Sequence, residues 1–123
     1  MNIQLSYAFN DARDFSPKGN PIPLYALARQ GIAFDRGNFA RVTNEMMRFF
    51  TGVTISSIDS NAVGLIVPVF NILAPTFTLA TGAIIFTPSN DHQVHLDMIS
   101  HTNVTIVEYG QHLANLYFLP LAS

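Results

Sequence analysis

The sequence contains no cysteine, which excludes disulfide bonds, thiolate catalysis and cysteine metal sites together. Charge is also scarce: 11% of the residues are Asp, Glu, Lys or Arg, less than half the usual share. Lys18 is the only lysine, the five arginines form no run, and the formal net charge is −2. Because no basic cluster could neutralise a row of phosphates, we expect no nucleic-acid partner.

Long apolar runs are missing as well. The longest apolar stretch, AVGLIVPVFNILAPTF at residues 62–77, is interrupted by Pro68, Asn71 and Pro75 and is too short to span a bilayer. The opening residues MNIQLSYAF have neither the basic region nor the small-residue cleavage site of a secretory signal peptide. We therefore expect an intracellular protein without a signal peptide and without a membrane partner.

What the chain has in abundance is apolar residues, 49% of its 123 positions. This length suits one hydrophobic core but not two, so we predict a single domain over residues 1–123. A monomer with so few charges would leave much apolar surface in water, and obligate interfaces are more apolar than ordinary surfaces. The composition therefore predicts an obligate oligomer, in which the chain's first partner is itself.

Strand patterns dominate the chain. Apolar and polar residues alternate in NIQLSYAF, and QVHLDMIS places Val94, Leu96 and Met98 on one face with His95 and Asp97 on the other. Short runs rich in branched residues, such as AVGLIVPVF and GAIIFTP, are separated by glycine, proline and asparagine. Short strands at regular spacing predict an all-β, antiparallel barrel or sandwich.

Three stretches are less regular. DARDFSPKGNPIP is predicted to be a loop, because it contains three prolines and a glycine. LYALARQGIAF fits either a helical turn or a strand. VTNEMMRFFTGVTIS is the best helix candidate at its start, but its aromatic and branched residues favour strands on either side of a turn at Thr51 and Gly52.

Five stretches, in the same order along the chain, resemble the motifs of the trimeric deoxyuridine triphosphatase (dUTPase) family. They are PKGNPIPLYAL, FFTGVTISSIDSNAVGLIVP, VFNILA, TGAIIFTPSNDHQVHL and SHTNVTIVEYGQHLANLYFLP. A glycine before an apolar strand is common, but five such stretches in order at suitable spacing are far more specific. The resemblance implies a jelly-roll-like β-barrel of the dUTPase type that assembles as a homotrimer.

The same resemblance implies that the catalytic groups are lost. Such an enzyme must deprotonate a water, hold Mg²⁺ on the triphosphate and stabilise developing negative charge. Ile85 stands where the family has its catalytic aspartate, an isoleucine cannot accept a proton, and the chain stops at Ser123 without the family's glycine-rich arm. The other replaced positions are Ala26 (Asp), Val69 and Phe70 (Arg and Ser), Pro88 (the sugar-pocket Tyr), Gln111 and His112 (Asp and Arg), and Asn115 (Gln). We therefore predict no catalytic residue, no cofactor and no enzyme activity.

A metal site is the other chemistry that the sequence raises. His92, His95 and Asp97 lie close together in HQVHLD, but on a strand His92 points away from the other two. A pair of histidines in a polar turn is more often solvated than ligating. We therefore predict no metal site.

The segment from Arg29 to Met47 resembles the family least, and together with Arg48, which follows it directly, it carries four of the chain's six basic residues. An atypical charged segment on a retained scaffold is where a new partner contact is most plausible, and a solvated loop is the equal alternative. The candidate partner-contact residues are Arg29, Arg36, Arg41, Glu45 and Arg48.

Three hypotheses follow. The first is a non-catalytic homotrimer, a structural or protein-interaction module whose further partner is another structural protein, in a viral or phage capsid as a decoration or minor capsid protein. The second is a divergent active dUTP diphosphatase, or another nucleotide hydrolase, that uses Asp91 or Asp97 as its base. The third is an unrelated jelly roll in which the order of the motifs is coincidental.

Overall fold

The computed structural model describes residues 2–9, 11–29, 34–69, 77–79, 83–88, 91–101 and 104–121. These residues form eleven strands and one helical turn. The elements are β1 (Ile3–Tyr7), α1 (Ala12–Phe15), β2 (Ile22–Tyr25), β3 (Ala28–Arg29), β4 (Phe39–Val42), β5 (Met47–Ile58), β6 (Ala62–Pro68), β7 (Phe77–Leu79), β8 (Ala83–Phe86), β9 (His92–Ser100), β10 (Thr105–Glu108) and β11 (His112–Pro120).

The strands form three antiparallel sheets. A five-stranded sheet has the order β1-β5-β9-β7, with β3 also paired to β5; a four-stranded sheet has the order β2-β11-β6-β8; and β4 pairs with β10. The predicted all-β, antiparallel class is confirmed. Within the described part of the chain the sheets are open at their edges, so the closed barrel expected from the sequence is not found there.

Strand β5 organises the five-stranded sheet because it pairs with three other strands, β1, β3 and β9. The turn predicted at Thr51 and Gly52 is wrong, since the chain runs as one 12-residue strand through both residues. Gly52 has φ +74° and lies where the pairing with β9 shifts its register, so the irregularity is a bulge rather than a reversal. A Cβ at Gly52 would lie 2.6 Å from the Phe9 ring and 2.8 Å from the Ala12 Cβ. Only glycine therefore lets Phe9 and Ala12 pack so closely on the strand.

The loop predicted for DARDFSPKGNPIP contains the single turn α1, which composition did not indicate. Ala12 is fully buried, and its carbonyl accepts a hydrogen bond from the Ser16 backbone N–H at 2.8 Å. Burial of one small side chain against β5 therefore decides the local conformation of a segment rich in turn residues.

The inward faces of the sheets share one hydrophobic cluster. The buried face predicted in β9 is confirmed, since Val94, Leu96 and Met98 are fully buried, but Asp97 on the other face is also only 7% exposed. They belong to the same cluster as Phe49 of β5 and Phe118 of β11, so the five-stranded and four-stranded sheets enclose a common core.

The two described ends of the chain are held by one connection, residues 59–61 between β5 and β6. Asn2 donates its backbone N–H to Asp59 Oδ1 at 2.8 Å, and the Asp59 N–H bonds back to the Asn2 carbonyl at 3.1 Å. Leu121 donates its N–H to the Asn61 carbonyl at 3.1 Å.

Among the described residues, no helix has the length and apolar character needed to cross a bilayer.

Candidate functional site

The outward side of the four-stranded sheet carries Ile85 and Asn115, two of the positions at which the resemblance indicates a lost catalytic group. On β11, Leu116 and Phe118 point into the core, so the intervening Tyr117 and Leu119 point outward and are 38% and 50% exposed. Cross-strand pairing places Leu119 opposite Val63 of β6, and Val63 opposite Ile85 of β8. We call this surface the outer sheet face. Its members are Val63, Leu65, Val67, Ile85, Asn115, Tyr117 and Leu119.

The outer sheet face carries no charged side chain among these seven members. Ile85, at the position of the expected catalytic aspartate, is 63% exposed, the largest value among the exposed large apolar residues of the described chain. Its neighbours across the sheet are hydrocarbon as well. This surface cannot accept a proton or bind a cation at Ile85, but it can be buried against another apolar surface.

His112 and Asn115 provide the polar groups at one end of this sheet. His112 Nε2 lies 2.9 Å from Asn115 Oδ1 and 3.0 Å from the Ala114 carbonyl oxygen, which can only accept, so Nε2 donates. The imidazole ring stacks on Tyr25 with 4.8 Å between ring centroids. These contacts hold the two side chains against their own sheet and bring no carboxylate to the ring.

Among the other replaced positions, Ala26 and Val69 make backbone hydrogen bonds near β11, and the Gln111 side-chain oxygen accepts the Glu108 N–H at 3.0 Å. Ala26 is fully buried, and its backbone bonds to the turn before β11, receiving the Gly110 N–H at 2.7 Å and donating to the Gln111 carbonyl at 3.0 Å. Val69 donates its N–H to the Leu113 carbonyl at 2.9 Å. Pro88 is exposed after β8. Phe70, the remaining position, lies outside the described residues.

The two aspartates considered as substitute bases lie elsewhere. Asp97 is on β9 in the five-stranded sheet, is only 7% exposed, and accepts two hydrogen bonds from Arg48, at 2.8 Å from Nε and 3.2 Å from the terminal nitrogen. The hydrogen bonds from Arg48, and secondarily the positive charge of Arg48, hold the pKa of Asp97 below its ordinary value, although burial opposes them. A carboxylate engaged in this way is a weak general base. Asp91 is exposed immediately before β9.

The histidines beside Asp97 do not converge on a metal position. His92 packs edge-on against Phe86 with 4.9 Å between ring centroids, and its Nε2 is buried without a hydrogen-bond partner. His95 lies on the opposite side of the strand from His92, so the two imidazoles cannot meet. Across the described ranges, no group of three His, Cys, Asp or Glu side chains is arranged to hold a metal ion.

A groove at the start of β5 contains four of the five candidate partner-contact residues. Its volume is about 380 Å³, near the lower end of known ligand pockets. We call it the arginine groove. It is lined by Arg29, Arg41, Thr43, Glu45, Met46, Met47 and Arg48. Arg36, the fifth candidate, lies outside the groove and pairs with Asp11 at 3.6 Å.

Strand alternation and cross-strand pairing build this groove. Ala40 and Val42 are buried in β4, so Arg41 between them is exposed, with its guanidinium 6.0 Å from the centre of the Phe39 ring. Arg48 is the direct cross-strand partner of Asp97, and their ion pair fixes its guanidinium. Sequence reasoning missed Thr43, Met46 and Met47 as lining residues and Asp97 as the anchor of Arg48, because strand register does not show in the sequence.

Comparison with known proteins gives the fold. No protein-family model matches the chain, and no curated protein matches its sequence. Two similar solved structures are of the Staphylococcus bacteriophage 80alpha dUTPase. An Asp-to-Ala mutant with dUpNHpp has a TM-score of 0.70 and 13% identity, and the other structure has a TM-score of 0.63 and 12% identity. Each match covers 99% of this chain and 92% of the other. The chain therefore has a dUTPase-like fold, as the motifs indicated.

Proposed function

We propose that this chain is a non-catalytic protein with a dUTPase-like fold that assembles as a homotrimer and acts as a structural or protein-interaction module. The proposal rests on the side chain found at position 85. An exposed hydrocarbon side chain occupies the position at which the resemblance places a catalytic aspartate, and its neighbours Val63 and Leu119 are apolar too. A surface of this kind favours burial against protein rather than contact with a triphosphate.

The occupant of the outer sheet face is, in this proposal, another copy of the chain. A face without charge that exposes isoleucine, valine, tyrosine and leucine has the composition of an obligate interface. Closed cyclic symmetry buries equivalent faces in every copy, which suits a chain with so little charged surface. In this proposal each chain has the jelly-roll-like barrel of the dUTPase type, and three such chains make up the trimer.

The setting is a viral or phage particle, in which the trimer is a decoration or minor capsid protein. The two similar structures are of a dUTPase from a Staphylococcus bacteriophage, and phage dUTPases control transfer of virulence genes. A small, cysteine-free trimer without catalytic groups fits a binding position on a larger assembly. The chain's further partner is then another structural protein, and no cofactor or metal is required.

Two measurements on the purified chain test the proposal. Light scattering after size exclusion should give a mass near three times the 13.5 kDa of one chain. Incubation with dUTP and Mg²⁺ should give neither pyrophosphate release nor nucleotide binding by calorimetry, with an active trimeric dUTPase as the positive control. A monomeric mass would overturn the trimer, and turnover would overturn the non-catalytic assignment.

The active-hydrolase alternative makes a separate expectation. If Asp91 or Asp97 served as the base, turnover would be present in the natural chain and lost in Asp91→Asn or Asp97→Asn. The ion pair of Asp97 with Arg48 weighs against that residue. Co-purification with assembled particles, rather than with a soluble enzyme complex, would support the capsid role.

A further inference from the structure

The chain concentrates its few cations in one place. It has six lysines and arginines and a net charge of −2. Three of the six, Arg29, Arg41 and Arg48, line the arginine groove. Glu45 is the only acidic residue in the lining. The chain as a whole has a negative net charge, but the arginine groove has an excess of positive charge. This excess arises from the fold, because the three arginines come from three different strands, β3, β4 and β5.

The three arginines differ in whether their guanidinium groups have a carboxylate partner. Arg48 is held by Asp97 through two hydrogen bonds, so part of its charge is neutralised and its position is fixed. Arg29 is half-buried on β3, and Arg41 is exposed on β4. Neither has a carboxylate partner among the described residues, in contrast to Arg36 and Arg48. Each guanidinium carries five N–H donors in a planar arrangement, so one arginine can donate two parallel hydrogen bonds to an incoming carboxylate.

The composition of the groove selects the kind of anion. A polyphosphate would bring several negative charges close to Glu45 and to the carboxylate of Asp97 behind Arg48, with only two unpaired guanidinium groups to receive them. Single carboxylates fit this arrangement better, because each can accept a bidentate pair of hydrogen bonds from one arginine. Met46 is 58% exposed beside the arginines and offers a soft apolar contact that a purely ionic ligand would not use.

We propose that the arginine groove binds an acidic segment of a partner protein, with two carboxylates on Arg29 and Arg41 and an apolar side chain against Met46. The binding site is on the five-stranded side of the chain and does not use the outer sheet face. The inference deepens the proposed interaction role and names the partner's chemistry, but it does not depend on the trimer.

The test is fluorescence anisotropy with a defined probe, a labelled eight-residue peptide containing Asp, Glu and Leu, against a counterpart in which Asn and Gln replace the acids. The acidic peptide should bind more tightly than its amide counterpart, and its affinity should fall as salt is raised. Arg29→Ala and Arg41→Ala should each weaken binding by about three- to tenfold, as expected for loss of a partly exposed charge-assisted contact. Arg41→Lys should give an intermediate loss, since it keeps the charge but not the planar pair of donors.

Arg36→Ala is the matched control, because Arg36 belongs to the same segment but lies outside the groove; it should leave the affinity unchanged. Light scattering and thermal unfolding of each variant, run in parallel, separate a lost binding site from a lost trimer or a lost fold. Equal affinity for the acidic and amide peptides would overturn the proposal. So would an equal effect of Arg36→Ala, or complete displacement of the peptide by inorganic pyrophosphate at lower concentration than by glutamate.

Discussion

Replacing Ile85 by aspartate would put a carboxylate on the outer sheet face, at the position where the fold's enzymes are expected to have one. In the single chain Ile85 is 63% exposed on β8, so the variant should fold. In the proposed trimer the same side chain is buried. The substitution therefore perturbs assembly more than it perturbs the subunit.

The size of the effect follows from the exposed area. Full burial of an isoleucine side chain is worth about 1.5–3 kcal/mol, so burial of the 63% that is exposed contributes about 1–2 kcal/mol for each chain. Three chains together lose about 3–6 kcal/mol, and desolvation of three carboxylates adds to that loss. The trimer association constant should consequently fall at least about a hundredfold.

Sedimentation velocity across a dilution series measures this change directly. The natural chain should remain trimeric at concentrations where Ile85→Asp sediments as a smaller species. Ile106→Asp is the matched control, because Ile106 is 46% exposed on β10, outside the outer sheet face. We predict that the new carboxylate produces no dUTP turnover, because Val69 and Phe70 stand where the resemblance places the phosphate-binding Arg and Ser.

Two results would refute this reasoning. If Ile85→Asp kept the mass and dilution behaviour of the natural chain, the outer sheet face would not be the self-association surface. If Ile106→Asp dissociated the assembly equally, the effect would come from added charge in general and not from the position of Ile85.

Two further predictions concern the core and the ion pair. Gly64→Ala should lower the free energy of unfolding by about 1–3 kcal/mol, because the added Cβ would clash with the Phe86 ring. The control in urea unfolding is Gly19→Ala, where the nearest atom to the added Cβ is 3.4 Å away. Equal stability of the two variants would contradict the packing. Asp97→Asn should lower the melting temperature at neutral pH, and the difference should disappear in acid. The folded-state pKa of Asp97 lies below its ordinary value of 3.8, so the ion pair with Arg48 contributes its full stability above that value and loses it as the pH falls through the lowered pKa. A difference in melting temperature that is unchanged at pH 2 would contradict the pairing.

Much of the fold could be predicted from local pattern. Alternation in β9 identified the buried face of Val94, Leu96 and Met98 because one side of the strand meets the core and the other does not. The same logic failed at Gly52. A glycine in a strand pattern fits a turn or a bulge, and only pairing of β5 with β9 on both sides of it distinguishes the two.

The candidate site was predictable in part. Ile85 was identified from the order of the motifs, but its exposure, and the row that it forms with Val63 and Leu119, depend on register between strands far apart in sequence. Likewise Arg29, Arg41 and Arg48 stood out as scattered cations, and only the structure shows that they share a groove that Arg36 does not join.

The hydrogen bonds that join both described ends to residues 59–61 determine where a group attached to either end would lie. That connection follows the last residue of β5, whereas the arginine groove lies at the strand's first residues. At about 3.3 Å per residue, a 12-residue strand separates the two by up to roughly 36–40 Å. A tag or a fused domain attached at either described end would therefore lie far from the arginine groove. The two described ends and the three groove arginines therefore lie at opposite ends of β5.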